Sequence, residues 1–330
     1  MIRAVILAGG EGTRLRPLTL TTPKSLLPIA NRPFLEHQLD TLARHGITTA
    51  TLLTGYLADA FGPFVHAMAA RGITLDVSRE ERPLGTCGAV RSIRDRLDST
   101  TIVFNGDVLT DLDLTEMLAA HRARNAALSI ALKPVADAGP YGLVPTDPTG
   151  RVEAFIEKPP PDVAANGGTI NAGTYAIEPR VLDDVPPGRE WSFERQLFPT
   201  LVANNEPVFG FVSDAYWLDI GTPQRYMQAH WDLIEGRSTL FRPAAANVRD
   251  GTVLVGDGCT IAAGATVGPR VSLGAGCSVE DGAAVRESVL LDGVRVAAGA
   301  TVEGTIVGPG VVVEAGRRLT GGIVVAGAQS

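Results

Sequence analysis

Residues 2–17 read Ile2-Arg3-Ala4-Val5-Ile6-Leu7-Ala8-Gly9-Gly10-Glu11-Gly12-Thr13-Arg14-Leu15-Arg16-Pro17. Segment 2–8 has the aliphatic composition of a buried strand, and it runs straight into a turn with three glycines. Lacking a Cβ, Gly9, Gly10 and Gly12 let backbone N–H groups close around phosphate oxygens. Arg14 and Arg16 follow and can neutralise polyphosphate charge bidentately. The spacing is not that of a P-loop, and Leu15 stands where a dinucleotide-binding turn needs its third glycine. Thr22-Pro23-Lys24-Ser25-Leu26-Leu27-Pro28 then sets one lysine beside an apolar run.

Outward from this turn, β-rich runs at 48–54, 73–78 and 100–105 alternate with helical stretches at 33–45, 57–70, 88–96 and 113–124. Pro33 opens the first helix and Gly46 closes it. Strand–helix alternation of this kind predicts a largely parallel sheet flanked by helices, with its binding crevice at the carboxyl ends of the strands. After Asn125 the pattern is richer in strand and interrupted by proline and glycine, which predicts insertions over that crevice.

The tail follows another rule. An aliphatic residue returns every six positions at Val255, Ile261, Val267, Leu273, Val279 and Val285, and after a one-residue slip at Leu290, Val296 and Val302. A smaller residue sits four positions after each, among them Cys259, Ala265, Cys277 and Ala283. Alternation with period two does not produce this; three hexapeptides per triangular coil of a left-handed parallel β-helix do. Cys259 and Cys277, one coil apart, are expected to stack in its core. The boundary is expected at 242–243, with 243–247 as linker.

Composition narrows the class. A chain of 330 residues with net charge −7 has no cation excess to coat nucleic acid or an anionic membrane. Cys87, Cys259 and Cys277 form no CxxC pair, and no apolar run approaches the roughly 20 residues that span a bilayer. A reduced, cytoplasmic protein is expected.

Taken in order, GGEGTRLRPLT (9–19), TPKSLLPI (22–29), LGTCG (84–88), FNGD (104–107), Tyr141-Gly142, EKP (157–159), NAG (171–173) and WLDIGTP (217–223) resemble the signature of the nucleotide-sugar pyrophosphorylases. The resemblance runs the length of the chain and is nearest to mannose-1-phosphate guanylyltransferases. It implies a Rossmann-like, glycosyltransferase-A-like mixed sheet over 1–242 and a β-helix over 243–330. It also implies transfer of a nucleotidyl group from a nucleoside triphosphate to a sugar 1-phosphate, with release of pyrophosphate. The pair it favours is GTP with mannose 1-phosphate or a close sugar or cyclitol analogue; the competitor is dTTP with glucose 1-phosphate.

Carried onto this chain, Arg14, Lys24 and Lys158 are the catalytic cations. Leu7, Ala8, Gly9, Gly10, Gly12, Thr13, Glu80, Gly85, Thr86, Gly88, Asn105 and Gly106 hold the nucleotide, with Glu80 at the base edge. Gly142, Glu157, Lys158, Asn171 and Glu194 hold the sugar phosphate. Asp107 and Asp219 are expected to ligate Mg²⁺, a hard cation that leans on carboxylates and substrate phosphates. The chain departs from the pattern at Arg82, Cys87, Pro145, Trp191 and Phe193, which bear on base and acceptor. A non-catalytic nucleotide-sugar sensor would be expected to have lost some of these charged residues. An acyltransferase would need a general base in the tail, yet all five histidines, His37, His45, His66, His121 and His230, precede it. The tail is read instead as a structural element joining copies into a homo-oligomer.

Overall fold

A computed structural model of the chain describes residues 2–239, 243–244 and 247–327. Residue 242 of the expected boundary and residues 245–246 of the expected linker lie outside these. The chain forms two compact units that do not follow chain order. One joins the residues up to Gly10 with Leu39–Trp217; the other joins Glu11–Gln38 with the residues from Leu218 onward. No helix among the described residues is long and apolar enough to cross a membrane.

The first unit is built on seven strands: β1 (Arg3–Leu7), β2 (Thr49–Thr54), β3 (Thr74–Arg79), β4 (Thr101–Asn105), β5 (Leu128–Val135), β6 (Gly168–Ile177) and β7 (Val208–Val212). Their spatial order is β7-β5-β6-β4-β1-β2-β3. All neighbours are parallel except β6, which runs antiparallel to both β4 and β5, so the sheet is mixed. The first four strands begin and end within a residue of the sequence reading. β1 has neighbours on both sides that follow it in the chain, and this reversal of strand order opens a crevice beyond its carboxyl end. Val5, Val103, Ile130 and Tyr175, all 0% exposed, run through the main core.

The helices are α1 (Phe34–Arg44), α2 (Gly62–Ala69), α3 (Gly85–Arg91), α4 (Leu114–Ala123), α5 (Pro161–Ala164), α6 (Phe198–Ala203) and α7 (Pro223–Ile234). Asp113 caps α4 by accepting the Glu116 N–H at 2.9 Å, as its side chain suggests. Two helices differ from expectation. The stretch expected at 57–70 splits into a 3₁₀ turn (Ala58–Phe61) and α2, because Pro63 has no N–H to continue the ladder. α3 starts earlier than expected, at Gly85.

The second unit contains the β-helix. Strands of two or three residues stack as three parallel faces, led by a short antiparallel pair, Val248–Arg249 with Val253–Val255. The expected columns form. Val255, Leu273, Leu290 and Val307 fall in register on one face, Ile261, Val279, Val296 and Val313 on the second, and Val267, Val285, Val302 and Leu319 on the third. The one-residue slip is taken up where Val271 faces Ser288 rather than Val289. Cys277 is 1% exposed in this core with Cys259 packed against it, both as free thiols.

Candidate active site

The crevice of the first unit is set by where β1 and β4 stop. Gly106 donates its N–H to Leu7 O at 3.0 Å, and a Cβ on Gly106 would lie 2.2 Å from that oxygen. Only glycine fits, because the two strand ends share this backbone contact. Ala8 continues the edge by donating to Leu53 O at 2.8 Å. Gly9 faces Gly55 and the Glu80 carboxylate, which a Cβ on Gly9 would approach to 3.3 Å each. Nothing approaches the equivalent point on Gly10 within 4 Å, so that side of the turn is open.

Glu80, half-buried at the carboxyl end of β3, donates its backbone N–H to Thr54 O at 2.7 Å. Its Oε1 is buried and accepts no hydrogen bond. Burial raises its carboxyl pKa from 4.5 to about 7, since desolvation disfavours the charged form. Such an unsatisfied carboxylate is costly in a fold unless something else supplies donors.

A second cluster gathers the sugar-phosphate candidates. Asn171 donates its backbone N–H to Gly142 O at 3.0 Å. A Cβ on Gly142 would meet the Phe155 ring at 3.0 Å and Glu157 Oε2 at 3.1 Å. Asn171 Nδ2 donates to the Tyr175 hydroxyl at 2.9 Å, and that hydroxyl donates to Glu194 Oε1 at 3.3 Å. Glu194 Oε2 accepts the hydroxyls of Thr86 at 3.0 Å and Ser192 at 2.7 Å. Asn105, at the end of β4, also bonds Tyr175. Asn105, Thr86, Asn171 and Glu194 are thus joined through one buried tyrosine. Burial foremost, then the Glu194 charge, holds the Tyr175 hydroxyl well above its usual range, so it stays protonated. Lys158, exposed, has a left-handed backbone (φ 53), a conformation that non-glycine residues keep chiefly where surrounding structure imposes it.

Protein backbone lies where side chains on Gly85 and Gly88 would point. A Cβ on Gly85 would lie 2.7 Å from Trp191 O, and one on Gly88 2.5 Å from Arg189 O. Cys87 and Gly88 both donate N–H groups to Trp191 O at 2.9 Å. These glycines admit the segment that carries Glu194.

In the second unit, the strap 11–38 folds on itself. Gly12 (φ 59) lies over Lys24 and Thr19, each 3.0 Å from where its Cβ would be, and Thr19 Oγ1 donates to Gly12 O at 2.9 Å. Thr13 and Arg14 are exposed. The Arg14 guanidinium and the Asp219 carboxylate both abut Gly221, whose Cβ would be 2.5 Å from Arg14 Nη2 and 2.7 Å from Asp219 Oδ1. Asp219 Oδ1 accepts the Gly221 N–H at 2.6 Å, and Oδ2 lies 3.6 Å from Arg225. This aspartate, 25% exposed, therefore has a cationic neighbour. Asp107 is half-buried just past β4, in the first unit.

Among the described residues, no three His, Cys, Asp or Glu side chains gather to hold a metal ion. The candidates offer hard carboxylate oxygens without a thiol or imidazole. That chemistry fits a cation such as Mg²⁺, which takes one or two protein carboxylates and completes its shell with phosphate and water.

Sequence reading missed Tyr175, Ser192, Gly55 and Gly221. Tyr175 stands four residues beyond Asn171 in β6, across an irregularity at Gly173 (φ 70) that plain strand alternation does not foresee.

A glycine-rich turn at a strand-order reversal, with two polar clusters at strand ends, is the equipment of a nucleotidyl-transferring enzyme. The chain belongs to the nucleotidyl transferase family, whose model matches residues 3–236, while that of the GMPPB C-terminal domain matches 249–329. Enzymes of this family generally use a divalent metal. The chain is 40% identical over 302 residues to mannose-1-phosphate guanylyltransferase of Mycobacterium tuberculosis, covering 90% of this chain and 82% of that one. It is 35% identical over 304 residues to mannose-1-phosphate guanylyltransferase 1 of Arabidopsis thaliana, covering 89% and 82%. It is similar to the crystal structures of HddC from Yersinia pseudotuberculosis, one of them complexed with GMP-PN. For these the TM-score is 0.61 at 31% identity, covering 70% of this chain and 98% of that one.

Proposed function

We propose that this nucleotidyltransferase joins GTP to mannose 1-phosphate, or a close sugar phosphate analogue, giving a GDP-sugar and pyrophosphate. The observation that carries the guanylyl choice is Glu80, whose buried Oε1 has no partner and whose other oxygen faces Gly9 and Gly55. Guanine presents adjacent N1–H and N2–H donors, and an ionised carboxylate accepts both. The guanylyltransferase names of the relatives and the GMP-PN complex of HddC support the same base.

The reaction needs no protein nucleophile. The phosphate oxygen of the sugar 1-phosphate attacks the α-phosphorus in line and pyrophosphate departs, so the protein positions groups and neutralises charge. In this reading, Arg14 stabilises the leaving pyrophosphate and Lys24 the nucleotide phosphates. Leu7 to Gly10, Gly12 and Thr13 supply the backbone around them. Lys158 meets the sugar phosphate, while Glu157, Asn171 and Gly142 take the sugar. Glu194 orients Asn171 through Tyr175. Asp107 and Asp219 would hold Mg²⁺, which supplies charge neutralisation for the phosphates when bound.

We further infer a cytosolic homo-oligomer divided near residue 242. The free thiols fit a reducing compartment. The family matches end at 236 and resume at 249, and Val312 is 48% exposed on an outer face of the β-helix. The deciding experiment is pyrophosphate release from five nucleoside triphosphates against a panel of sugar and cyclitol 1-phosphates. A preference for dTTP, ATP or UTP overturns the guanylyl reading and leaves the reaction class standing. Light scattering tests assembly, and a monomeric mass refutes it.

A further inference from the structure

One face of the β-helix is buried on both sides. In its strands Val253–Val255, Val271–Leu273, Ser288–Leu290 and Ile306–Val307, residues such as Val253, Leu273, Leu290 and Val307 fill the helix core. The residues between them in the register, Leu254, Ser272, Val289 and Ile306, turn the other way. They are nevertheless only 3%, 0%, 0% and 0% exposed. Two elements of the same unit lie against this sheet: α7 packs on the second and third of these strands, and the strap 11–38 reaches it through Asn31 and Leu18.

The strap is tied at several points. Asn31 Nδ2 donates to Leu273 O on the β-helix at 2.7 Å. Leu18 Cδ2 lies 3.4 Å from the position of a Cβ on Gly308. The Ala30 N–H donates to His230 Nδ1 at 3.2 Å, and the Tyr226 hydroxyl donates to Pro28 O. α7 is itself fastened to the β-helix, with Trp231 Nε1 donating to Arg270 O at 3.1 Å and Arg270 pairing with Glu235 at 3.0 Å. These ties surround a turn in which Ala30 (φ 48) and Asn31 (φ 63) both adopt left-handed backbone. That backbone is the one a two-residue hairpin between Pro28–Ile29 and Arg32–Pro33 requires, and the ties fasten this hairpin turn to the β-helix and α7. Lys24 lies six residues upstream in the same strap, packed against Gly12.

We propose that the β-helix is a positioning frame for the polyphosphate-binding strap. Asn31 and His230 are its positioning residues: they fix the turn that sets Lys24 and, through Gly12, the loop bearing Arg14. The inference rests on the reading that Lys24 and Arg14 meet nucleotide phosphates. It makes triphosphate binding depend on side chains that never touch the nucleotide.

Asn31→Gly is the clean perturbation, because glycine keeps the left-handed backbone and deletes only the bond to Leu273. Asn31→Asp keeps the shape and places an acceptor against that carbonyl. His230→Phe removes the acceptor of the Ala30 N–H, and His230→Asn, whose Oδ1 stands where Nδ1 was, can restore it. In the full-length protein, both Asn31 variants and His230→Phe should weaken nucleoside triphosphate binding by about three- to tenfold, the span of one hydrogen bond. Pyrophosphate KM in the reverse reaction should rise alongside. Nucleoside monophosphate affinity and the KM for sugar 1-phosphate should stay as in the parent, and His230→Asn should recover most of the loss. A merely structural role lowers the melting temperature and changes all affinities together, which overturns the proposal. Lys24→Ala, run beside them, separates the two readings. If it weakens triphosphate binding while the Asn31 variants match the parent, the frame is refuted and the phosphate reading survives. If Lys24→Ala itself binds triphosphate normally, the phosphate reading fails and the frame falls with it.

Discussion

Replacing Glu80 with glutamine tests both the electrostatics of the crevice and the choice of base. In the folded chain the Glu80 pKa stands at about 7 against an unperturbed 4.5, raised by burial. The folded state therefore holds a proton that the unfolded state releases between those values. The stability linked to that proton is fully present below about 4.5 and is lost as pH rises through about 7. Full shielding would make the displacement worth roughly 3 kcal/mol. Glu80 is only half-buried, so solvent screening leaves about 1–2 kcal/mol. Glutamine is never charged, so the variant should melt higher than the parent at pH 8.5, by about 2–6 °C. At pH 4.5 the two should melt together. Turnover should move the opposite way. At pH 8.5 the variant lacks the second acceptor for guanine, and the loss of a charge-assisted pair costs about 1.5–3 kcal/mol, or roughly 10- to 150-fold in kcat/KM for GTP. In the parent, GTP affinity should fall as pH drops through about 7. Differential scanning fluorimetry and GTP titrations across pH 4.5–8.5 check both halves. A melting gain that is equal at every pH refutes the desolvation argument, and unchanged GTP kinetics in the stable variant refutes the base assignment.

Asp107→Asn and Asp219→Asn should fold with near-parental melting temperatures and lose roughly a thousandfold or more in metal-dependent turnover; a stable Asp107→Asn enzyme with most of its activity would sink the metal reading. Gly106→Ala places a Cβ 2.2 Å from Leu7 O, and the backbone shift it forces should cost about 1–3 kcal/mol. Thermal unfolding reads that loss, and a neutral result would mean the strand ends separate freely. Tyr175→Phe removes the hydroxyl between Asn171 and Glu194 and should destabilise by about 1–3 kcal/mol through the polar groups left unpaired. It should also raise the KM for sugar phosphate more than that for nucleotide, which steady-state kinetics decides.

Local and periodic features were legible in the chain. The first four strands and the three aliphatic columns of the tail follow from side-chain pattern alone, because burial selects the same residue types wherever a strand or coil recurs. Motif order carried the family and most of the candidate residues. Where the reading ran short, the missing information was contact between segments distant in sequence. The backbone of Arg189 and Trp191 lies where side chains on Gly85 and Gly88 would point, and nothing in LGTCG announces that neighbour. Glu194 looks like one more polar residue until Thr86, Ser192 and Tyr175 converge on it. The strap 11–38 reads as part of the strand–helix domain, since it lies between β1 and β2 in the chain. It nonetheless shares a compact unit with the β-helix, to which Asn31 and Leu18 fasten it at Leu273 and Gly308. Sequence determines which surfaces must be buried; only the tertiary structure decides what buries them, since that depends on long-range complementarity that no local pattern encodes.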